Sequence, residues 1–172
     1  KDSVGEEVEK VVAANEAFVP PYGSGATLYI RPYMFGSNPV IGVKPADEYQ
    51  FRIFTTPVGP YFKGGVKPLT LRVCDYDRAA PNGSGAFKVG GNYACSLCSL
   101  NIAHELGYKA VLYLDPATKT TIDEFNSSNF FAIRGNSYIT PKSDSILPSI
   151  TNKSLRQIAA DLGLTVEERD IP

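Results

Sequence analysis

The period of the apolar residues changes several times along the chain, and each change marks a new element. Val4, Val8, Val11 and Val12 recur at helical spacing behind a capping box of Ser3 and Glu6. A helix is therefore expected over about 4–17, stopped by Pro20 and Pro21. Two segments rich in aromatic and β-branched residues follow, ATLYIRPYMF and EYQFRIFTTPV, parted by a loop with glycine and proline. They read as two strands of one sheet. The stretch TTPVGPYFKGGVKP carries three prolines and three glycines between strand-like segments, the composition of a connection between domains.

Beyond it, LTLRVCDY reads as a strand, and DRAAPNGSGAFK as an unperiodic loop of turn residues. GGNYACSLCSLNIAHELG reads as a helix with Leu97, Leu100, Ala103 and Leu106 on one face and Gly107 past its end. Strands are then expected in AVLYLD, TIDEF, NFFAIRG and SYITP, with Gly135-Asn136 as a tight turn between the last two. Thr151 is placed to cap a final helix, NKSLRQIAADL, which Gly163 closes before a last strand. Helices and strands alternate without a strict βαβ period. The fold class expected is α/β with mixed (α+β) sheets.

With 172 residues, 43% of them hydrophobic, the chain can bury a core of ordinary size. Basic and acidic residues are interspersed and the net charge is −1, so no basic stripe awaits nucleic acid or anionic lipid. No apolar run approaches the roughly 20 residues that span a bilayer, and the start lacks the basic-then-apolar pattern of a signal peptide. A cytoplasmic protein is expected. The chain opens on Lys1 directly before a helix and stops at Pro172 directly after a strand, which reads as an excised piece.

Three cysteines, Cys74, Cys95 and Cys98, are too few and too odd in number for a disulfide framework. Cys95 and Cys98 form a C-x-x-C, the spacing of a redox pair or half a zinc site, but no second pair or histidine cluster completes a ligand set. At i and i+3 of a helix they are expected to face the core. The one histidine, His104, falls in mid-helix and reads as a surface or packing residue.

The candidate chemistry centres on Lys88, in the run GSGAFKVGGNYA. A phosphate-binding P-loop needs Gly before its Lys and Ser or Thr after it, and Phe87 and Val89 occupy those places. A lysine ahead of a helix start can instead serve as an amine nucleophile, since desolvation or a nearby positive helix end favours its neutral form. The competing reading is a solvated surface lysine, one of ten. In TIDEFNSSNFF, strand alternation sets Asp123 and Glu124 on opposite faces, so that one points outward and the other enters an apolar setting beside Phe125 and Phe130. The inward carboxylate needs a positive partner: the pyridinium nitrogen of pyridoxal phosphate, or a nearby Arg or Lys. At ILPSITNKS the helix beginning near Thr151 offers backbone N–H groups and a hydroxyl to an anion, as any helix start can.

Taken together, the segments GSGATLYIRP, PVGPYF, DYDRAAP, KVGGNYA, IDEFNSSNFF and ILPSITNKS resemble, in order and spacing, the branched-chain amino acid aminotransferases. These are fold-type IV pyridoxal-phosphate enzymes. The resemblance implies pyridoxal 5'-phosphate as cofactor, with Lys88 as the Schiff-base lysine that also shuttles the proton. It implies Tyr93 hydrogen-bonded to the cofactor's ring oxygen, Glu124 at the pyridine nitrogen, and Ser127, Ile150 and Thr151 at the phosphate. Tyr29, Arg31, Val43 and Tyr61 match substrate-pocket positions. A strand puts Tyr29 and Arg31 on one face, where the guanidinium could take the distal carboxylate of glutamate or 2-oxoglutarate and the apolar wall leucine, isoleucine or valine.

The same resemblance divides the chain into the end of a small domain (1–57), an interdomain loop (58–66) and the first part of a large cofactor-binding domain (67–172). It implies a homodimer acting on amino acids and 2-oxo acids. Family members are longer at both ends and commonly carry glycine where this chain has Ser149. An upstream phosphate arginine, an N-terminal pocket aromatic and a downstream Gly-Thr-Ala loop have no counterpart here, so a central fragment with little activity alone is expected. A D-amino acid aminotransferase, an aminodeoxychorismate lyase and a non-catalytic module that retains the fold are the alternatives.

Overall fold

The computed structural model describes residues 2–60 and 64–172. The chain divides into two compact units, Lys1–Lys67 and Pro68–Pro172. In the first unit, helix α1 runs Asp2–Ala14 and is followed by a 3-10 turn at Glu16–Phe18. Ser3 therefore lies inside the helix rather than at its cap. The helix also ends before residue 17, because the chain tightens there into i to i+3 bonds from Phe18 N to Asn15 O (2.9 Å) and Val19 N to Glu16 O (3.0 Å). Strands β1 (Thr27–Gly36) and β2 (Tyr49–Val58) pair antiparallel without a register slip, from Thr27 opposite Val58 to Gly36 opposite Tyr49. The first residues of the proline- and glycine-rich stretch thus belong to β2. Tyr61, one of the expected substrate-pocket positions, lies outside the described residues.

The second unit holds two three-stranded sheets, each built around one parallel pair with a helix as its crossover. Strand β3 (Leu71–Cys74) pairs in parallel with β4 (Ala110–Leu114), helix α2 (Gly90–Glu105) connects them, and β5 (Ile122–Phe125) adds antiparallel to β4. In the other sheet, β6 (Ala132–Arg134) and β7 (Ser137–Thr140) form a hairpin about Gly135 and Asn136, with Gly135 at φ +58. Helix α3 (Ile150–Asp161) then leads to β8 (Thr165–Glu168), parallel to β7. The architecture is the mixed α/β class read from the sequence.

The face of α2 that packs inward matches the expected one only in part, at Ala103 and the half-buried Leu100. Its buried residues are Asn92, Ser96, Ser99 and Ala103, while Leu97 and Leu106 are more than half exposed. Small side chains let the helix approach the sheet, where Ala103 packs with Cys74, Val111 and Tyr113. The Ser99 hydroxyl shares a 2.8 Å hydrogen bond with that of Tyr113, whose titration burial pushes up. Cys95 and Cys98 consequently stand exposed, contrary to expectation, and only Cys74 is buried. The leucine spacing misled because serine and asparagine occupy an equally regular stripe on the same helix.

The loop between β3 and α2 is irregular but tied down. Asn92 donates from its amide to Ser84 O (2.8 Å) and Phe87 O (3.0 Å), and accepts from the Ser84 hydroxyl (2.7 Å). Gly85 is buried, and a Cβ there would stand 2.0 Å from the backbone oxygen of Ser145. Gly85→Ala is therefore expected to lower stability by about 1–3 kcal/mol, seen as a lower urea midpoint at unchanged slope. Gly90, where a Cβ would meet nothing within 4 Å, should accept alanine with little change.

Candidate active site

Lys88 is delivered by the loop that Asn92 anchors. Val89 is the N-cap of α2, so Lys88 precedes the helix directly and Tyr93 falls in the first turn. The Lys88 ammonium donates to the Tyr93 hydroxyl at 2.6 Å and sits 4.7 Å from the centre of its ring. The pair forms within one loop-to-helix turn, five residues apart.

Glu124 comes from β5 and is 4% exposed. Its Oε1 stands 2.6 Å from Arg78 Nη2 and accepts from Leu147 N (3.3 Å), while Oε2 accepts from the Asn129 amide (2.9 Å). Burial pushes the carboxyl up, and Arg78, the Leu147 N–H and Asn129 oppose that. A carboxylate has about four acceptor sites, so the Leu147 and Asn129 donors, with Arg78 beside them as an ion-pair partner, leave room for a further positive group. The arginine partner is one of the two alternatives the sequence left open.

The expectation that one of the two carboxylates points outward fails, since Asp123 is buried as well as Glu124. Asp123 is 6% exposed, with Oδ2 accepting from the Ser145 hydroxyl and Oδ1 buried without a hydrogen-bond partner among the described residues. The segment around Ser145 covers that side of the sheet, which sequence alternation does not reveal. Burial pushes the Asp123 carboxyl up. Such a group favours folding while protonated, and that contribution fades as pH rises from the unfolded value of about 4 through the raised folded one. Asp123→Asn should therefore match or exceed wild-type stability at pH 8, with the gap closing toward pH 4. Urea midpoints across that range measure it.

The start of α3 is capped by Ser149, not Thr151: the Ser149 hydroxyl accepts from Asn152 N at 3.1 Å. Ser149 has φ −70, an ordinary extended backbone that needs no glycine. Ile150 and Thr151 thus open the helix, and their N–H groups are donors that helix geometry itself leaves unmatched. Asn129 and Asn152 join this end to Glu124. Asn129 bonds Leu147 O (3.1 Å) and receives the Asn152 amide (3.3 Å), which also reaches Thr140 Oγ1 (3.0 Å), while Tyr138 donates to Asn152 (2.7 Å).

Two adjoining cavities gather most of these groups. One, of about 70 Å³, is lined by Arg78, Tyr93, Glu124, Ser127 and Ser149 among others. The other, of about 430 Å³, shares Ser127 and Ser149 with it and adds Thr151. Tyr93, Glu124, Ser127 and Thr151 are so brought together, with Lys88 bonded to Tyr93, while the Ile150 side chain turns to solvent and offers only its backbone. The sequence reading missed Arg78, Asn129 and Asn152, and took Ser149 only as a departure from the family's glycine. The one available signal was a lone arginine in the loop ahead of Lys88.

In the first unit Tyr29 and Arg31 share a face of β1, as expected. The guanidinium donates to the Tyr29 hydroxyl at 2.7 Å and lies 5.1 Å from its ring centre. Val43 is fully exposed in the loop between β1 and β2, and His104 is exposed on α2. Among the described residues no helix is long and apolar enough to cross a membrane, and no group of three His, Cys, Asp or Glu could hold a metal ion.

The family model described as amino-transferase class IV matches residues 1–172. A branched-chain-amino-acid aminotransferase of Haemophilus influenzae is 51% identical over 170 residues, 95% of this chain and 50% of its own. The solved branched-chain aminotransferase of Thermoproteus uzoniensis with norvaline is 27% identical with a TM-score of 0.83, over 99% of this chain and 55% of that one. The branched-chain amino acid aminotransferase of Escherichia coli gives 28% identity and a TM-score of 0.76 over 99% and 53%. A further solved branched-chain amino acid aminotransferase, with pyridoxamine 5'-phosphate, gives 25% identity and a TM-score of 0.83 over 99% and 54%. The chain spans about half the length of the curated relatives it matches. Its sequence and its mixed α/β fold agree, and the chain belongs to the class IV aminotransferase family.

Proposed function

We propose that the protein carrying this chain is a pyridoxal-phosphate-dependent branched-chain amino acid aminotransferase. It would move an amino group between leucine, isoleucine or valine and 2-oxoglutarate in a ping-pong reaction, as a cytoplasmic homodimer. The observation that carries this reading is the convergence of Tyr93, Glu124, Ser127 and the start of α3 on adjoining cavities, with the Lys88 amine bonded to Tyr93. The names of the relatives support the substrate class. Residues 1–57 would then form the end of a small domain, 58–66 the connection, and 67–172 the start of the cofactor-binding domain.

The donor set fits the cofactor: an amine, a hydroxyl, a buried carboxylate with an acceptor site to spare, and a helix start for a phosphate. Lys88, Tyr93, Glu124, Ser127, Ile150 and Thr151 would hold it. Pyridoxal 5'-phosphate supplies an aldehyde to capture an amine and a ring that takes up the electron pair left at the substrate carbon. Lys88 Nζ provides the nucleophile and then carries the proton at the substrate α-carbon. Tyr93 Oη orients that amine. Glu124 would keep a positive charge at the ring nitrogen, and the N–H groups of Ile150 and Thr151 with the Ser127 hydroxyl would receive the phosphate. Arg31 would bind the distal carboxylate of glutamate, with Tyr29, Val43 and Tyr61 around the aliphatic side chain.

The test is a substrate panel on the purified protein with pyridoxal phosphate. Glutamate formation from L-leucine and 2-oxoglutarate, without turnover of D-alanine or aminodeoxychorismate, is the expected result. Turnover of either competitor in place of leucine would reassign the enzyme within fold-type IV.

A further inference from the structure

Three segments that share no secondary-structure element meet at one nitrogen. Arg78, its side chain 11% exposed, donates from Nη2 to Gly85 O (2.9 Å) and Ser145 O (2.5 Å), and the same nitrogen stands 2.6 Å from Glu124 Oε1. Each contact leads directly to a different part of the site. Gly85 lies in the loop that ends in Lys88, and Asn92 ties Ser84 and Phe87 on either side of it to α2. Ser145 lies in the segment that ends at Ser149, the cap of α3. Glu124 projects from β5.

The contact between the first two segments is close enough to exclude a side chain at Gly85, where a Cβ would fall 2.0 Å from Ser145 O. Two backbone carbonyls turned toward one point repel each other unless a shared donor lies between them, and a guanidinium supplies that donor with fixed geometry. Asp123, the other buried carboxyl here, takes its bond from the Ser145 hydroxyl instead. The Arg78 cation acts on Asp123 only through its charge, while its Nη2 hydrogen bonds go to the two carbonyls beside Glu124.

We propose that Arg78 is a positioning residue of the reaction. Through Nη2 it holds the Lys88 loop, the Glu124 carboxylate and the approach to α3 in one frame, without touching the substrate. The proposal rests on the aminotransferase reading, because the three groups it aligns matter together only if one cofactor spans them.

The experiment uses the purified protein loaded with pyridoxal phosphate, as wild type, Arg78→Lys and Arg78→Met. Borohydride labelling of wild-type Lys88 checks the reading by itself, and its failure would sink the reading and this proposal with it. With labelling in place, Arg78→Lys keeps a charge beside Glu124 but loses the rigid fork. It is expected to cut kcat by about a hundredfold with KM for leucine changed by less than about threefold. Arg78→Met removes the charge and should also move the pH midpoint of the bound cofactor's visible absorbance by about one pH unit. Melting temperatures separate these effects from unfolding, and the lysine variant decides alone if the methionine variant does not fold. Wild-type kcat in Arg78→Lys, or a loss that only tracks the folded fraction with the absorbance midpoint unmoved, would overturn the proposal.

Discussion

Lys88→Ala is expected to abolish transamination, lowering kcat by more than about 10³-fold while the fold survives. The side chain is exposed, and its one hydrogen bond among the described residues is to Tyr93, so its removal leaves no buried group there unpaired. Covalent capture of the cofactor and the proton transfer both depend on that amine, and general acid–base catalysis alone contributes about 10²–10⁴. Steady-state turnover of leucine beside a urea melt measures the two halves of the prediction. A variant that keeps a tenth of wild-type activity would remove Lys88 from the chemistry.

Glu124→Ala should fail differently, in folding as well as in catalysis. The carboxylate is buried against Arg78 and takes the Asn129 amide and the Leu147 N–H. Removing it leaves a guanidinium in a poorly solvated site without its counter-charge, which typically costs about 3–5 kcal/mol. Asn129 also loses the bond that orients it toward Asn152 and the start of α3, so cofactor affinity should fall with stability. Denaturant unfolding without cofactor isolates the first effect. A loss below about 1 kcal/mol would mean that the Arg78–Glu124 pair is not what holds these segments.

The elements with strong periodicity were legible in the sequence. β1, β2, the Gly135-Asn136 hairpin and the span of α2 stand where the pattern puts them, because aromatic and β-branched alternation and positive-φ glycines act over a few residues. The packing face of α2 was legible in part, since Ser96 and Ser99 can be buried only because the sheet offers partners such as Tyr113. Nor was the burial of Asp123, which depends on a segment more than twenty residues away. Lys88, Tyr93, Glu124 and Thr151 were singled out through ordered motifs, whereas Arg78 and Asn129 connect segments distant in sequence. The cap of α3 shows the same limit: Ser149 and Thr151 are both competent capping residues, and backbone geometry chose Ser149.

The most direct test of the site is to incubate the protein with substoichiometric pyridoxal phosphate, reduce with borohydride, and map the pyridoxyl group by peptide mass spectrometry. The geometry about Tyr93 predicts one modified residue, Lys88, among the ten lysines. Label spread over the surface lysines, with none preferred at Lys88, would contradict it.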